Sequence, residues 1–266
     1  MTAIAANLQA VRDRIARAAL AARRSPDAVA LLAVSKTVPV ERIVEAHAAG
    51  QQAFGENTVQ EAVEKITKLA ALHPRMERRV AQSRREDVRP RSDMPRPSGG
   101  VASPEGPLLL PLEWHFIGPI QSNKTAQIAA HFQWVHGVER GRIAERLNAA
   151  RPEGVPPLNV CIQVNVSGEA TKSGVTPGGE VALAEVISRL PGLKLRGLMA
   201  IPEPTSDAAL QRRRFALLRE LKDSLSARGH ALDTLSMGMS GDFEAAIAEG
   251  ATIVRIGTAI FGRRDR

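Results

Sequence analysis

The chain contains no tyrosine, and its aromatic residues make up only 3% of 266 positions. No step of its chemistry can therefore use a tyrosine as acid, base or nucleophile. A single cysteine, Cys161, excludes an intrachain disulfide and a cysteine-rich zinc site. No stretch approaches the roughly 18 apolar residues of a membrane-spanning helix, and the N-terminal segment lacks the apolar core of a targeting peptide. These absences predict a cytoplasmic protein that does not enter a membrane.

Positive charge is in excess, with a formal net charge of +8. The excess lies in residues 1–25, 71–111 and 263–266, where aromatic residues are not interleaved with the arginines. No recognisable nucleic-acid-binding motif accompanies these segments. The pattern therefore predicts no specific nucleic-acid partner. The six histidines show no metal-ligand spacing, which predicts no metal site.

Strand-like and helical segments alternate along the chain. Ile4, Leu8, Val11 and Ile15 recur at helical spacing, which predicts an opening amphipathic helix. Eight short runs with strand character follow, at 29–35, 53–55, 114–118, 134–138, 159–166, 194–201, 234–238 and 252–257. Strands separated by helices pair in parallel, because a parallel crossover needs about a dozen residues. Eight such units predict an α/β fold, a single closed (β/α)₈ TIM barrel with an extra N-terminal helix, and a doubly wound open sheet is the alternative.

Residues 71–111 interrupt this alternation. The segment is rich in arginine and proline and shows neither helical nor strand periodicity. We interpret it as an insertion, a partly disordered surface loop within one domain that spans 1–266. Two readings stay open, a tolerated insertion without function and a partner-binding or regulatory arm.

Lys36 is a candidate for amine chemistry. Alternation along the first strand puts Leu32, Val34 and Lys36 on one face, and the working groups of a parallel barrel lie at the carboxyl ends of its strands. An ammonium above two apolar layers is partly desolvated, which favours the neutral amine that attacks an aldehyde. The alternative is a lysine that extends into water or pairs with Glu56.

A second candidate group follows the last two strands. Ser240, placed as a helix N-cap, and Gly257 with Thr258 lie in the loops where barrels often bind phosphate. Ordinary turn chemistry is the alternative for each motif alone. Arg255, near the end of the eighth strand, has an uncertain direction; if it points inward, it can donate to a ring nitrogen or an acid group of a ligand.

Six segments occur in this order along the chain: LLAVSKT, FGENTVQEAVEKI, EWHFIGPIQSNK, LRGLMAIPEP, LSMGMSGDFEAAIAEG and VRIGTAIFG. Together they closely resemble the pyridoxal 5′-phosphate (PLP) homeostasis protein family, and the resemblance covers the chain except 71–111. It implies a barrel like the N-terminal domain of alanine racemase (PLP fold type III), without a second β domain. It also implies a role in PLP and amino-acid homeostasis with no established catalytic turnover.

The resemblance also implies roles for individual residues. It implies a Schiff base between PLP and Lys36, a contact from Arg255 to the pyridine nitrogen, and a lining position for Asn57. It matches phosphate-binding positions to Ser240, Gly257 and Thr258. The chain departs from the family at Thr58, where tyrosine is usual, at 240–242, and at Arg266, where an aromatic residue is common.

We favour a carrier over an enzyme. Arginine only donates hydrogen bonds, so a ring nitrogen that Arg255 contacts is unprotonated and the ring withdraws electrons less strongly. Alanine racemases, which share only the barrel, add a second domain and a tyrosine base, and this chain has no tyrosine. The expected role is to hold PLP and to supply or buffer it for apo-enzymes, as a monomer, and so to affect amino-acid, keto-acid and vitamin B6 balance.

Two enzyme classes remain as alternatives. One is a PLP-dependent amino-acid racemase in which a histidine such as His115 replaces the tyrosine. The other is a Schiff-base barrel enzyme that acts on a phosphorylated sugar through Lys36. Lys124, in QSNKT, is a further candidate for a second PLP site, against the alternative of an exposed lysine at a helix start.

Overall fold

A computed structural model of the chain describes residues 2–72, 111–169 and 172–262. Within these residues eight parallel strands are hydrogen-bonded in chain order, and β1 pairs with β8 to close a barrel. The closed barrel confirms the (β/α)₈ prediction, and the alternative of an open sheet is wrong. The strands are β1 Ala30–Val34, β2 Ala53–Glu56, β3 Glu113–Phe116, β4 Trp134–Val138, β5 Leu158–Gln163, β6 Leu193–Met199, β7 Thr234–Ser236 and β8 Ile253–Ile256.

Helices surround the barrel, and none of those in the described ranges is long and apolar enough to cross a membrane. Their bounds are α1 Ala3–Ala21, α2 Val40–Ala48, α3 Val59–Leu72, α4 Thr125–His131, α5 Gly141–Ala149, α6 Gly179–Ser188, α7 Ala208–Ala227, α8 Phe243–Ala248 and α9 Thr258–Phe261. Residues 73–110, which hold nearly all of the expected insertion, lie outside the described residues.

The predicted opening helix is confirmed as α1. Its apolar stripe of Ile4, Leu8, Val11 and Ile15 is buried, and it packs against α2, α8 and α9. Thr2 caps its first turn, since the side-chain oxygen accepts from the backbone N–H of Ala5 at 3.3 Å. The helix therefore covers the place where the first and last β/α units meet.

The strands are buried on both faces, as expected for a parallel sheet covered by helices. Their outward residues join the helices in one large core. A second, smaller apolar cluster consists of Leu32, Trp134, Cys161, Met199 and Ile253, which point into the barrel. Because side chains alternate along a strand, this inner cluster also marks which residues further along each strand face inward.

Four residues close the bottom of the barrel, and we call them the barrel floor. Arg196 donates from Nε to Asp233 Oδ1 at 2.9 Å and from Nη2 to Asp233 Oδ2 at 2.7 Å. Its guanidinium lies 4.6 Å from the centroid of the Trp134 ring, a cation–π contact. Trp134 Nε1 donates to Glu113 Oε1 at 2.6 Å. With this end closed, the barrel opens at the carboxyl ends of the strands.

The close approach of β6 to β7 gives a test of the fold. A Cβ added to Gly197 would lie 1.8 Å from the carbonyl oxygen of Thr234, whereas a Cβ on Gly141 would lie 3.6 Å from its nearest neighbour. Gly197→Ala is therefore expected to lower the free energy of unfolding by about 3 kcal/mol, because backbone must move to relieve the overlap. Urea denaturation measures this value. Gly141→Ala is the control, and an equal loss in both variants would contradict the explanation.

Candidate functional site

A cavity of about 560 Å³ lies at the carboxyl ends of the strands. Loops that follow β1, β2, β3, β6, β7 and β8 line it. The structure brings all six residues of the predicted site to this one cavity: Lys36, Asn57, Ser240, Arg255, Gly257 and Thr258. Residues that are up to 222 positions apart in sequence, Lys36 and Thr258, therefore share one wall.

Lys36 lies at the mouth of the barrel, two residues after the end of β1. The predicted alternation holds, since Leu32 belongs to the inner apolar cluster and Val34 and Lys36 line the cavity above it. The side chain is half-buried. An amine in this position can reach a ligand in the cavity while apolar side chains lie beneath it.

A second lysine, Lys65 of α3, holds the backbone beside Lys36. Its Nζ donates to the Ser35 carbonyl oxygen at 2.7 Å, to Glu56 Oε1 at 2.9 Å and to Glu61 Oε1 at 2.6 Å. Glu56 Oε1 also accepts from Ser35 Oγ at 2.6 Å. Three acceptors use all three protons of the ammonium, and the side chain is 8% exposed. Lys65 is therefore committed to the protein rather than to a ligand.

The same cluster supports the residue after Lys36. Thr37 has a positive φ of 63°, which is uncommon for a residue with a branched side chain. Its backbone N–H donates to Glu61 Oε1 at 2.5 Å. Because Lys65 binds both Glu61 and Ser35, one ammonium ties down both neighbours of Lys36. The sequence interpretation missed Lys65, although its i,i+4 spacing from Glu61 on α3 was a usable signal.

Glu56, at the barrel mouth, is a buried carboxyl group with an ammonium group beside it. Its side chain is completely buried, and burial raises its pKa, although the Lys65 ammonium and the Ser35 hydroxyl act in the opposite direction. Its Oε2 has no hydrogen-bond partner among the described residues. The structure thus pairs Glu56 with Lys65.

Two hydroxyl groups face the cavity from the last two loops. Ser240 and Thr258 line it, and neither side chain has a hydrogen-bond partner in the part of the chain that the structure describes. A Cβ on Gly257 would lie 2.9 Å from the Val34 carbonyl oxygen, so a glycine lets the β8 loop pack close to β1. Hydroxyl donors beside a close-packed turn suit an anionic group.

Ser240 is not the N-cap that the sequence predicted. The helix α8 begins at Phe243, and the residue at its N-cap is Asp242. The Asp242 carboxylate accepts from the backbone N–H of Met239 at 2.6 Å, which tightens the turn before the helix. Ser240 lies inside this turn, so its hydroxyl is left for the cavity. Burial raises the pKa of Asp242, while the charge of Arg255 lowers it.

Arg255 points into the barrel, which resolves the direction that the sequence left uncertain. It is 3% exposed, and its Nη1 donates to the carbonyl oxygen of Ser236 at 2.6 Å and to Ser236 Oγ at 2.7 Å. Its Nη2 donates to the Ala200 carbonyl oxygen at 2.8 Å. Burial lowers its pKa to about 10, so the guanidinium stays charged at neutral pH.

A chain of buried polar side chains continues from Arg255 through the barrel interior. Ser236 Oγ lies 2.7 Å from His136 Nδ1, and His136 Nε2 lies 2.9 Å from His115 Nδ1. The His115 ring stacks on Trp134 with the planes 6° apart. The sequence interpretation missed this chain as a unit. The two-residue spacing of His136 from inward-facing Trp134 was the signal for its direction.

Other candidates lie outside the cavity lining. Lys124 ends a single 3₁₀ turn and does not line the cavity. Cys161 is buried in the inner cluster, and burial raises its pKa to about 12, so the thiol stays protonated. No group of three or more potential ligands among residues 2–72, 111–169 and 172–262 could hold a metal ion. The cavity lining therefore offers the Lys36 amine, the Arg255 guanidinium and the Ser240 and Thr258 hydroxyls, together with the polar side chains of Asn57, Thr205, Gln211 and Asp242.

These groups suit a small ligand with three features. The Lys36 amine suits a carbonyl carbon, and Ser240 and Thr258 suit an anionic group. Arg255 suits a hydrogen-bond acceptor, because its three internal hydrogen bonds use at most three of the five guanidinium N–H groups. An aldehyde with an acceptor ring atom and a phosphate meets all three requirements.

Comparison with known proteins agrees with this geometry. The family model for the alanine racemase N-terminal domain matches residues 3–265. The pyridoxal phosphate homeostasis protein of Pseudomonas aeruginosa is 54% identical over 265 residues, which cover 100% of this chain and 97% of that protein. The corresponding protein of Escherichia coli is 47% identical over 268 residues, which cover 100% of this chain and 98% of that protein.

A solved structure extends the comparison to three dimensions. PipY of Synechococcus elongatus with PLP bound is 32% identical, with a TM-score of 0.72, and the match covers 97% of this chain and 100% of that one. The full-length matches and the shared barrel agree on one assignment. The chain belongs to the pyridoxal phosphate homeostasis protein family, which is built on the alanine racemase N-terminal domain.

Proposed function

We propose that this chain binds PLP at the barrel mouth through a Schiff base on Lys36, and that it supplies or buffers PLP for other proteins. The observation that carries the proposal is the single cavity that holds Lys36, Arg255 and the Ser240 and Thr258 hydroxyls, which have no hydrogen-bond partner among the described residues. Membership of the PLP homeostasis family and the PLP-bound state of PipY support it. In this proposal residues 1–266 form one PLP-binding domain.

Each residue of the cavity has a distinct task in this proposal. PLP, when bound, supplies an aldehyde that condenses reversibly with amines and a ring that withdraws electrons. Lys36 provides the amine, and Arg255 donates to the ring nitrogen. The Ser240 and Thr258 hydroxyls donate to the phosphate, Gly257 lets the backbone approach it, and Asn57 lines the same wall.

The residues around the ring favour holding PLP over turning it over. Arg255 keeps its proton near pH 7, so it would donate to a ring nitrogen beside it and would favour the uncharged form of that nitrogen. This weakens the ring as an electron sink. The chain also contains no tyrosine to serve as a second base opposite Lys36. A carrier needs neither feature, because it only has to form and release an imine.

Release of PLP follows from the same reversibility. PLP held by Lys36 through a reversible bond would be released to a small amine or to water, and it could then pass to an apo-enzyme. We propose PLP-dependent apo-enzymes as recipients, and a monomer in the cytoplasm as the form that serves them. Through this transfer the chain would influence amino-acid, keto-acid and vitamin B6 balance.

Lys36→Ala tests the covalent attachment. We expect the purified variant to lose the visible absorption band of covalently bound PLP while it keeps its far-ultraviolet circular dichroism, because the apolar layers beneath Lys36 remain intact. Borohydride reduction followed by peptide mass analysis should place the modification on Lys36 in the unaltered chain. Lys124→Ala is the matched control and should keep the band. A retained band in Lys36→Ala would assign the attachment to another lysine.

Thr258→Val tests the phosphate contact. Valine keeps the shape of threonine but cannot donate a hydrogen bond, so PLP should bind about tenfold more weakly, which is about 1.4 kcal/mol. Absorbance titration gives the dissociation constant. Thr67→Val serves as the control, because its hydroxyl donates to the Val63 carbonyl oxygen on the exposed face of α3. An unchanged dissociation constant in Thr258→Val would remove this residue from the phosphate site.

Transfer to an apo-enzyme tests the carrier role against the racemase alternative. The PLP-loaded chain, freed of unbound PLP, should restore activity to an apo-aminotransferase even when a phosphatase destroys PLP in solution. The Lys36→Ala protein treated in the same way should restore none. Chiral analysis of L-alanine incubated with the loaded chain gives the opposing outcome. Racemisation at an enzymatic rate without transfer would replace the carrier by a racemase.

A further inference from the structure

The position of Arg255 depends on residues that do not touch the cavity. Two of its three internal hydrogen bonds go to Ser236, the last residue of β7, and the third goes to Ala200, the residue just after β6. At least two of its N–H groups therefore remain for a ligand. The Ala200 and Ser236 carbonyl oxygens belong to the backbone, but Ser236 Oγ can rotate. Something must keep that oxygen directed at the guanidinium.

The positions of the protons identify the residue that keeps Ser236 Oγ directed at Arg255. Arginine has no acceptor, so Ser236 Oγ accepts from Arg255 and must place its own proton elsewhere. The neighbouring acceptor is His136 Nδ1, 2.7 Å away. His136 Nδ1 is then unprotonated, and the proton of the neutral ring lies on Nε2, which donates to His115 Nδ1 at 2.9 Å.

The series of hydrogen bonds ends at His115. With Nδ1 as acceptor, His115 carries its proton on Nε2, which lies 3.6 Å from Glu113 Oε2, too far for a hydrogen bond. Each donor in the series from Arg255 to His115 thus points away from the cavity. One assignment of protons satisfies the three hydrogen bonds from Arg255 through Ser236 and His136 to His115, because a proton on His136 Nδ1 would face the Ser236 proton or turn it back toward Arg255.

Burial keeps this arrangement in place. His136 and Ser236 are completely buried, and His115 is 3% exposed. Burial lowers the pKa of His136 far below its ordinary value, and the positive charge of Arg255 acts in the same direction. The ring therefore remains a neutral acceptor. Buried polar side chains cost stability unless they are satisfied, and an apolar interior would avoid that cost.

We propose that His136 is a positioning residue for the bound cofactor. By accepting the Ser236 proton it keeps Ser236 Oγ turned toward Arg255, so that the remaining guanidinium N–H groups are available to the ring nitrogen of PLP. The inference rests on the proposed function and adds to it a residue that touches neither PLP nor Arg255. Loss of the acceptor at His136 frees the Ser236 proton to face the guanidinium and loosens Arg255.

The test compares two ligands that differ at one atom. PLP has the ring nitrogen, and 1-deaza-pyridoxal 5′-phosphate has C–H in its place. The full-length chain and its His136→Leu variant are titrated with both, with absorbance as the readout. We expect His136→Leu to bind PLP about tenfold more weakly and the deaza ligand with unchanged affinity, because only PLP uses the Arg255 donor at the ring.

Two further variants keep the test decisive if His136→Leu does not fold. His136→Asn places an amide oxygen near the position of Nδ1, so it should keep PLP affinity within about threefold of the unaltered chain. Ser236→Ala removes the relay hydroxyl and should give the same nitrogen-dependent loss as His136→Leu. Circular dichroism and thermal unfolding confirm that each variant is folded.

The outcomes distinguish a failure of the positioning role of His136 from a failure of the proposed PLP site. Equal losses for PLP and the deaza ligand would show a merely structural role for His136 and overturn the positioning role alone. Full PLP affinity in folded His136→Leu or Ser236→Ala protein would overturn it as well. If the unaltered chain binds neither ligand, the proposed PLP site fails and the inference fails with it.

Discussion

Hydrogen bonding between β1 and β8 is the constraint on which the site depends. The register pairs Leu32 with Arg255 and Ala33 with Ile256. Because strand ends at one edge of a barrel come together, this pairing sets the amine that follows β1 beside the turn that follows β8. Gly257 allows the close packing, since any larger residue would meet the Val34 carbonyl oxygen. Closure of the barrel and assembly of the cavity are thus one structural event.

Two buried cations stabilise the surroundings of the cavity, and they differ in the partners that compensate their charges. The carboxylates of Glu56 and Glu61 compensate the charge of Lys65, and this group of ion pairs holds the backbone around Lys36. Arg255 is bound instead by two carbonyl oxygens and a hydroxyl, which stabilise its charge without cancelling it. Arg255 therefore contributes positive charge to the cavity from β8, on the side where the Thr258 hydroxyl lies.

Local sequence patterns were sufficient for the barrel because each buried strand is a short apolar run between polar helices. They also predicted the inward face of β1 and, with the family resemblance, the residues that share the cavity. The direction of Arg255 could not be predicted, since alternation is ambiguous where a strand ends. The contacts of Lys65 with Ser35 and Glu56, and that between His136 and Ser236, depend on how distant segments pack together, which no local pattern contains. The prediction that Ser240 is the helix N-cap was wrong because Asp242 takes that position, and its carboxylate accepts from the Met239 N–H.

The burial of Cys161 has a consequence for the PLP that we propose this protein carries. A thiolate adds reversibly to an aldehyde to give a hemithioacetal, so an accessible thiolate would compete with Lys36 for the same carbon. The Cys161 thiol lies in the inner cluster and holds its proton up to a pH of about 12. A pyridoxal aldehyde carried at the mouth would therefore be safe from capture by the sulfur of its own carrier, and it would stay exchangeable.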